Sequence, residues 1–290
     1  MTQDPWAPVQ PPAPPAGCAP APQAAWPQPA AEPTTAWPQP APVAAPAWQP
    51  TPGPAPAGAA PVLACDHLTK GYGSRLALSD VTFSVPAGRV VGLLGPNGSG
   101  KTTLIKLAAG LLTPTSGSVR VAGLEPGTQT KALLSYLPER PYFAPSMRVR
   151  ECLAFFADFY ADFDRVLAQD MLARLGVPAD APMSSLSKGT KEKVQLVLVM
   201  ARHAALYLLD EPIGGVDPAT RDYILDTIIS QYHRDSTILI STHLIADVEP
   251  VLDDFVFLQY GTMVVHAPVA FVREQGYPSL DDYFRRAFRC

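Results

Sequence analysis

The sequence predicts an α/β domain with a mostly parallel core sheet, and three features of the chain predict it. Short apolar runs alternate with helical patterns across residues 62–290. One such run, Val90-Val91-Gly92-Leu93-Leu94, leads into the glycine-rich segment GPNGSGKTT at 95–103 and then into the helical pattern LIKLAAGLL. A second run, LYLLDEP at 206–212, ends on two adjacent carboxylates, Asp210 and Glu211, at the strand end where open α/β sheets place their ligands.

The segment 95–103 has the spacing G-x-x-x-x-G-K-[ST] of a phosphate-binding P-loop. Gly95, Gly98 and Gly100 let backbone N–H groups turn inward at a helix N-terminus, which makes an anion nest that no Cβ obstructs. Pro96, Asn97, Ser99 and Thr103 complete the loop and its first helical turn. Lys101 is placed to reach the β- and γ-phosphates and the Thr102 hydroxyl to ligate Mg²⁺. A nucleoside triphosphate is the substrate class this predicts.

Composition divides the chain. Residues 1–61 are dominated by Pro and Ala, and the first sixty hold no Lys or Arg, so burial there cannot offset the entropy of ordering. This arm is predicted to be disordered with polyproline character. It carries Trp6, Trp26, Trp37 and Trp48, and the hexapeptide AWPQPA occurs at both 25–30 and 36–41, which suggests duplicated sequence or a weak docking tail. Residues 62–290 are enough for one domain with its own core. A net charge of -4 argues against a protein that lives on nucleic acid, so no nucleic-acid partner is expected. Cys18, Cys65, Cys152 and Cys290 show neither metal-ligand nor disulfide spacing. The sequence contains neither a run of apolar residues long enough to span a bilayer nor a basic-then-apolar secretion signal.

The remaining elements follow in order. VLACDHLTKGYG and LALSDVTFSV read as short strands joined by a turn that Gly71 and Gly73 mark, with Tyr72 on that turn. Residues 135–143, SYLPERPYF, leave a strand for a loop that Pro138 and Pro141 enforce and that carries Glu139. Residues 148–176 have apolar positions at three- and four-residue steps and read as a helical stretch. Its Phe155, Phe156, Phe159 and Phe163 can be core or a docking surface. LSKGTKEKVQLVLVMARH, from Leu186, starts a helix near Lys188 with Ser187 as N-cap. Ser236–Thr242 reads as a buried strand that ends at His243. DDFVFLQYGTMVVH then reads as a hairpin with a Tyr-Gly turn, and SLDDYFRRAF as a terminal helix.

In this order the motifs resemble those of ATP-binding cassette (ABC) ATPases across residues 63–285. The resemblance implies a P-loop NTPase of ABC type: a core sheet, a small antiparallel β subdomain, and an α-helical subdomain at about 141–203. It also implies roles. Tyr72 matches the aromatic that stacks on adenine, Asp210 the aspartate that holds Mg²⁺, and Glu211 the base that polarises water. Asp217 matches the loop that crosses between subunits, and His243 the histidine that contacts the γ-phosphate. Three positions depart from the family. Glu139 stands where the family carries a Gln near Mg²⁺ and water, and Lys188 and Thr190 alter the LSGGQ signature of which Ser187 and Gly189 are kept.

From the resemblance, the cofactors are ATP and Mg²⁺. The segment Ser187, Lys188 and Gly189 acts on ATP held by a second ABC subunit, and a homodimer is workable because Glu211 and His243 are both present. Dimer closure drives a separate transmembrane permease from the cytoplasmic face of the membrane, with Glu139 and the helical insert as contacts. Export is the preferred direction, since a lysine-containing signature is found among some bacterial exporters. A soluble ABC ATPase acting on ribosomes or nucleic acid is the alternative, and an ATP-binding module without hydrolysis a third.

Overall fold

The computed structural model describes residues 61–214, 218–230 and 235–287. Residues 1–60 of the Pro/Ala-rich arm, Cys18 among them, lie outside the described residues, as do Asp217 and Cys290. Strands β1 (Leu63–Tyr72) and β2 (Arg75–Val85) pair antiparallel around a tight turn in which Gly73 takes φ +59°. β4 (Ser116–Val121) joins the other edge of β1, so the small sheet runs β2-β1-β4. The core sheet runs β5-β6-β7-β3-β8-β9. Its strands are β3 (Val90–Leu94), β5 (Leu134–Leu137), β6 (Leu206–Asp210), β7 (Thr237–Thr242), β8 (Asp254–Gln259) and β9 (Thr262–Pro268). Five are parallel, and β9 folds back antiparallel on β8 through Tyr260 and Gly261, both at positive φ as a two-residue hairpin requires.

Alternation along the core strands divides the hydrophobic residues between two layers. Val91, Leu93, Leu206, Leu208, Leu239 and Val256 face the small sheet and helix α1 (Lys101–Ala108). Val90, Leu94, Tyr207, Leu209, Ile238, Ile240 and Phe255 face a helical layer. These strands are covered on both faces, which is why they read as continuous apolar runs and not as alternating ones. Between β4 and β6 the chain builds α2 (Thr128–Leu133), α3 (Val149–Phe159), α4 (Arg165–Arg174) and α5 (Lys188–Met200). After β6 come α6 (Pro218–Ser230), α7 (Ile245–Val248), α8 (Val269–Glu274) and α9 (Leu280–Ala287). Among the described residues no helix is long and apolar enough to cross a membrane. Cys65 and Cys152 are buried free thiols, which burial pushes up to about 12 and about 11.

The helical stretch predicted over 148–176 is two helices. α3 ends at Phe159, and the link leading to Arg165 turns its backbone onto the end of α5, with Asp164 N–H donating to the Ala201 carbonyl at 2.7 Å. The Asp164 carboxylate then caps α4 by accepting from Leu167 N–H at 2.8 Å. Periodicity could not show this break, because Phe156 and Phe163 keep their apolar spacing across it. Phe156 is in the core and Phe163, half-buried, packs against it, whereas Phe155 is 42% and Phe159 69% exposed, their rings 4.5 Å apart.

One residue ties this insert to the core sheet. Arg202, 2% exposed at the end of α5, donates to both Asp162 carboxylate oxygens at 3.0 Å and to the carbonyls of Leu134 at 2.6 Å and Ala132 at 3.0 Å. Its guanidinium also lies 3.7 Å from the centre of the Tyr160 ring. Removing one member of such a group leaves the others desolvated and unpaired. Arg202→Ala is therefore expected to destabilise the domain by about 3 kcal/mol, read as a lower denaturant midpoint; an unchanged midpoint would show that the anchor contributes nothing.

Candidate functional site

The site forms where β3, β6 and β7 end side by side. Strand β3 delivers the chain into the loop 95–100, whose glycines Gly95, Gly98 and Gly100 all take positive φ, at +153°, +79° and +106°. Two have no room for a side chain. A Cβ on Gly95 would meet the Leu258 carbonyl at 2.3 Å, and one on Gly100 the Ala77 carbonyl at 2.5 Å. The loop is braced from outside by Gly261, whose N–H donates to the Ser99 carbonyl at 3.1 Å, and from within by Ser99 N–H to the Pro96 carbonyl at 3.2 Å. α1 begins at Lys101 directly behind this turn, so its free N–H groups and the loop's converge on one concavity.

Lys101 is 5% exposed and folds back on the loop. Its ammonium donates to the carbonyls of Gly95 at 2.9 Å and Pro96 at 3.3 Å and pairs with Glu211 Oε1 at 3.5 Å. Burial lowers its pKa, and Glu211 and Asp210 oppose that shift.

β6 and β7 supply the acidic side. Asp210 is 1% exposed; its Oδ1 accepts from the Thr102 hydroxyl at 3.0 Å and the Ser241 hydroxyl at 2.7 Å, while Oδ2 is buried without a protein partner. Desolvation raises its carboxyl, the two hydroxyls lower it, and Glu139 and Glu211 raise it further. Glu211 takes φ +51°, held by its N–H to the Ser241 carbonyl at 3.0 Å and hydroxyl at 3.1 Å. That left-handed turn costs about 1–3 kcal/mol for a residue with a Cβ, and it aims the carboxylate back over the loop. Glu211 Oε2 meets His243 Nδ1 at 3.0 Å. Lys101, Glu211 and His243 thus form a continuous polar row.

A cleft of about 1020 Å³ opens in front of this row. Tyr72 stands at its rim, 50% exposed with the Lys70 ammonium 5.4 Å from its ring centre. Asn97, Thr102, Thr103, Glu139 and Lys188 also line it. Ser187 and Gly189 do not. The Ser187 hydroxyl accepts from Thr190 N–H at 3.1 Å as the N-cap of α5, and nothing approaches the Cβ direction of Gly189 within 4 Å. Asp210 Oδ2 and the Thr102 hydroxyl are the oxygens that would hold a metal, and no cluster of three or more His, Cys, Asp or Glu that could hold one occurs among the described residues. This donor set fits Mg²⁺, which takes one or two protein oxygens and completes its shell with phosphate oxygens and water.

Three contributors were not singled out in the sequence. Arg75 lines the cleft because the two-residue turn pairs it with Tyr72, and its guanidinium lies 3.9 Å from where Gly98 would carry a Cβ. A hairpin register would have indicated it. Arg140 follows Glu139 into the cleft wall. Ser241 braces both Asp210 and Glu211; its signal was a hydroxyl near the end of a strand read as buried, since a buried hydroxyl needs a partner.

Comparison with known proteins agrees with this geometry. Residues 78–214 match the family model ABC_tran, described as ABC transporter. The chain is 31% identical over 209 residues to the uncharacterized ABC transporter ATP-binding protein YhaQ of Bacillus subtilis (strain 168), covering 70% of each. It is 32% identical over 219 residues to the Nod factor export ATP-binding protein I of Burkholderia orbicola (strain AU 1054), covering 72% of each. A solved structure described as the ATP binding subunit of an ABC transporter superposes with a TM-score of 0.71 at 30% identity, over 79% of this chain and all of that one. The chain belongs to the ABC transporter ATP-binding protein family and is an ATPase.

Proposed function

We propose that this chain hydrolyses ATP between two copies of itself and passes the resulting closure to a separate transmembrane permease, driving export. The observation that carries the reading is the row Lys101, Glu211, His243 set across the mouth of the phosphate loop. Adenine stacks on Tyr72, and the triphosphate takes the N–H groups of residues 97–103. The Lys101 ammonium exchanges the Gly95 and Pro96 carbonyls and Glu211 for phosphate oxygens. Glu211 is then free to accept a proton from the attacking water, with His243 holding its carboxylate in place. Thr102 and Asp210 are the residues that would hold Mg²⁺, with Glu139 within electrostatic reach of Asp210; when bound, the ion neutralises charge on the phosphate oxygens. Ser187, Lys188 and Gly189 at the N-terminus of α5, together with Asp217, serve the nucleotide of the second copy.

A permease contact is supported by an apolar groove of about 540 Å³ between the helical insert and the core. Phe155, Phe156, Tyr142 and Tyr160 line it, and Lys106 and Lys131 give it a basic margin. Phe155 and Phe159 extend it onto the surface. An amphipathic helix from a membrane subunit at the inner face of the cell membrane fits such a groove. Export is favoured by the Lys188 signature and by the similarity to an export ATP-binding protein. Capture of the tagged chain from solubilised membranes is expected to recover an integral membrane protein, and Phe155→Glu to reduce that recovery at least about tenfold with an unchanged melting curve. Recovery of ribosomes without a membrane protein would overturn the assignment.

A further inference from the structure

Next to the cleft, and sharing Glu139 and Glu211 with it, is a chamber of about 20 Å³, room enough for a single water. Glu139, Glu192, Gln195, Asp210 and Glu211 line it. Three buried side-chain atoms of these residues have no protein partner: Gln195 Nε2, Glu192 Oε2 and Asp210 Oδ2. Gln195 and Asp210 are each 1% exposed, so bulk solvent cannot serve them. The other oxygen of each carboxylate is occupied. Glu192 Oε1 faces the Lys188 ammonium at 3.8 Å, and Asp210 Oδ1 accepts from Thr102 and Ser241.

One water has the donors and acceptors to give each of the three atoms a partner. A water accepts one N–H from Gln195 and donates its two protons to Glu192 and Asp210, so one donor and two acceptors are satisfied together. Glu192 and Gln195 lie three residues apart on α5 and so share a face of it. We propose that Glu192, Gln195 and Asp210 hold one structural water, and that through it Gln195 acts as a positioning residue for the Asp210 carboxylate. The water joins helix α5 to the end of β6 at the acidic side of the cleft. Asp210 Oδ2 keeps a second lone pair for the metal side. Resting on the ATPase reading above, this gives α5 two roles. Its N-terminus serves the nucleotide of a second copy, while its next turns orient the metal ligand of its own site.

Gln195→Met preserves volume and removes the donor. The variant is expected to bind ATP as the wild type does, to turn over about three- to tenfold more slowly, and to need more Mg²⁺ for half-maximal rate. Turnover and Mg²⁺ dependence equal to wild type would overturn the proposal. A high-resolution crystal structure of the wild-type chain supplies a second test that does not depend on the variant folding. Density for one water within hydrogen-bonding distance of all three atoms supports the proposal, and a chamber without it, or Gln195 Nε2 bonded to a protein acceptor, overturns it. A wild-type chain that fails to hydrolyse ATP would instead count against the assigned function, so the two failures are separable.

Discussion

Glu211→Gln is expected to lower ATP turnover by about 10²- to 10⁴-fold while leaving ATP binding intact. The substitution keeps the shape of the side chain and its contact with His243 Nδ1 at 3.0 Å. It removes the carboxylate that can accept the proton of the attacking water. Backbone placement should survive, because the φ of +51° is held by Ser241 through main-chain N–H bonds that the side-chain change does not touch. The change also removes the counter-charge 3.5 Å from the Lys101 ammonium. Phosphate oxygens then face less competition for that lysine, so ATP affinity is expected to hold or rise. Phosphate release and an equilibrium binding isotherm check the two halves separately, and a variant that turns over at the wild-type rate would remove Glu211 from the mechanism.

Lys101→Ala is expected to weaken ATP binding by about 10- to 100-fold. The lysine is the cation buried inside the loop, and its removal leaves the Gly95 and Pro96 carbonyls and Glu211 without their donor as well as the phosphates without theirs. Arginine is not expected to rescue it, since a planar guanidinium cannot replace a compact ammonium in a loop this close. A pH dependence follows from the same burial. Desolvation lowers the pKa of Lys101, so in the free protein it loses its proton at lower pH than an exposed lysine does. ATP affinity should therefore decline as the pH rises through that lowered value, and Lys101→Ala should abolish the dependence. Isotherms across the alkaline range measure both.

Much of the site was legible because its parts are local. The glycines at 95, 98 and 100, the lysine behind them and the carboxylates at the end of an apolar run each occupy a few consecutive residues, and steric and hydrogen-bonding rules act on such windows directly. The same holds for the N-cap at Ser187 and the hairpin turn at Tyr260-Gly261, where side-chain chemistry and φ alone decide the conformation. Arg75 and Ser241 escaped notice for a different reason. Arg75 matters only because a turn sets it beside Tyr72 and over Gly98, and Ser241 only because β7 lies next to β6. Likewise the break between α3 and α4 arises from backbone bonds to residues at the end of α5, which no apolar period in residues 148–176 records.

Read alone, the chain specifies its strands, its phosphate loop, its acidic pair and their order, since each depends on neighbouring residues and on periodicities of two or 3.6. Folding decides how these pieces meet. It brings Thr102 to Asp210 across 108 positions of sequence and Lys101 to Glu211, and it places Glu192 and Gln195 of α5, each with an unpartnered atom, in the wall of the same small chamber as Asp210. Such contacts are fixed by strand order and by the need of buried charges and polar atoms for partners, and those partners exist only once the sheet has assembled.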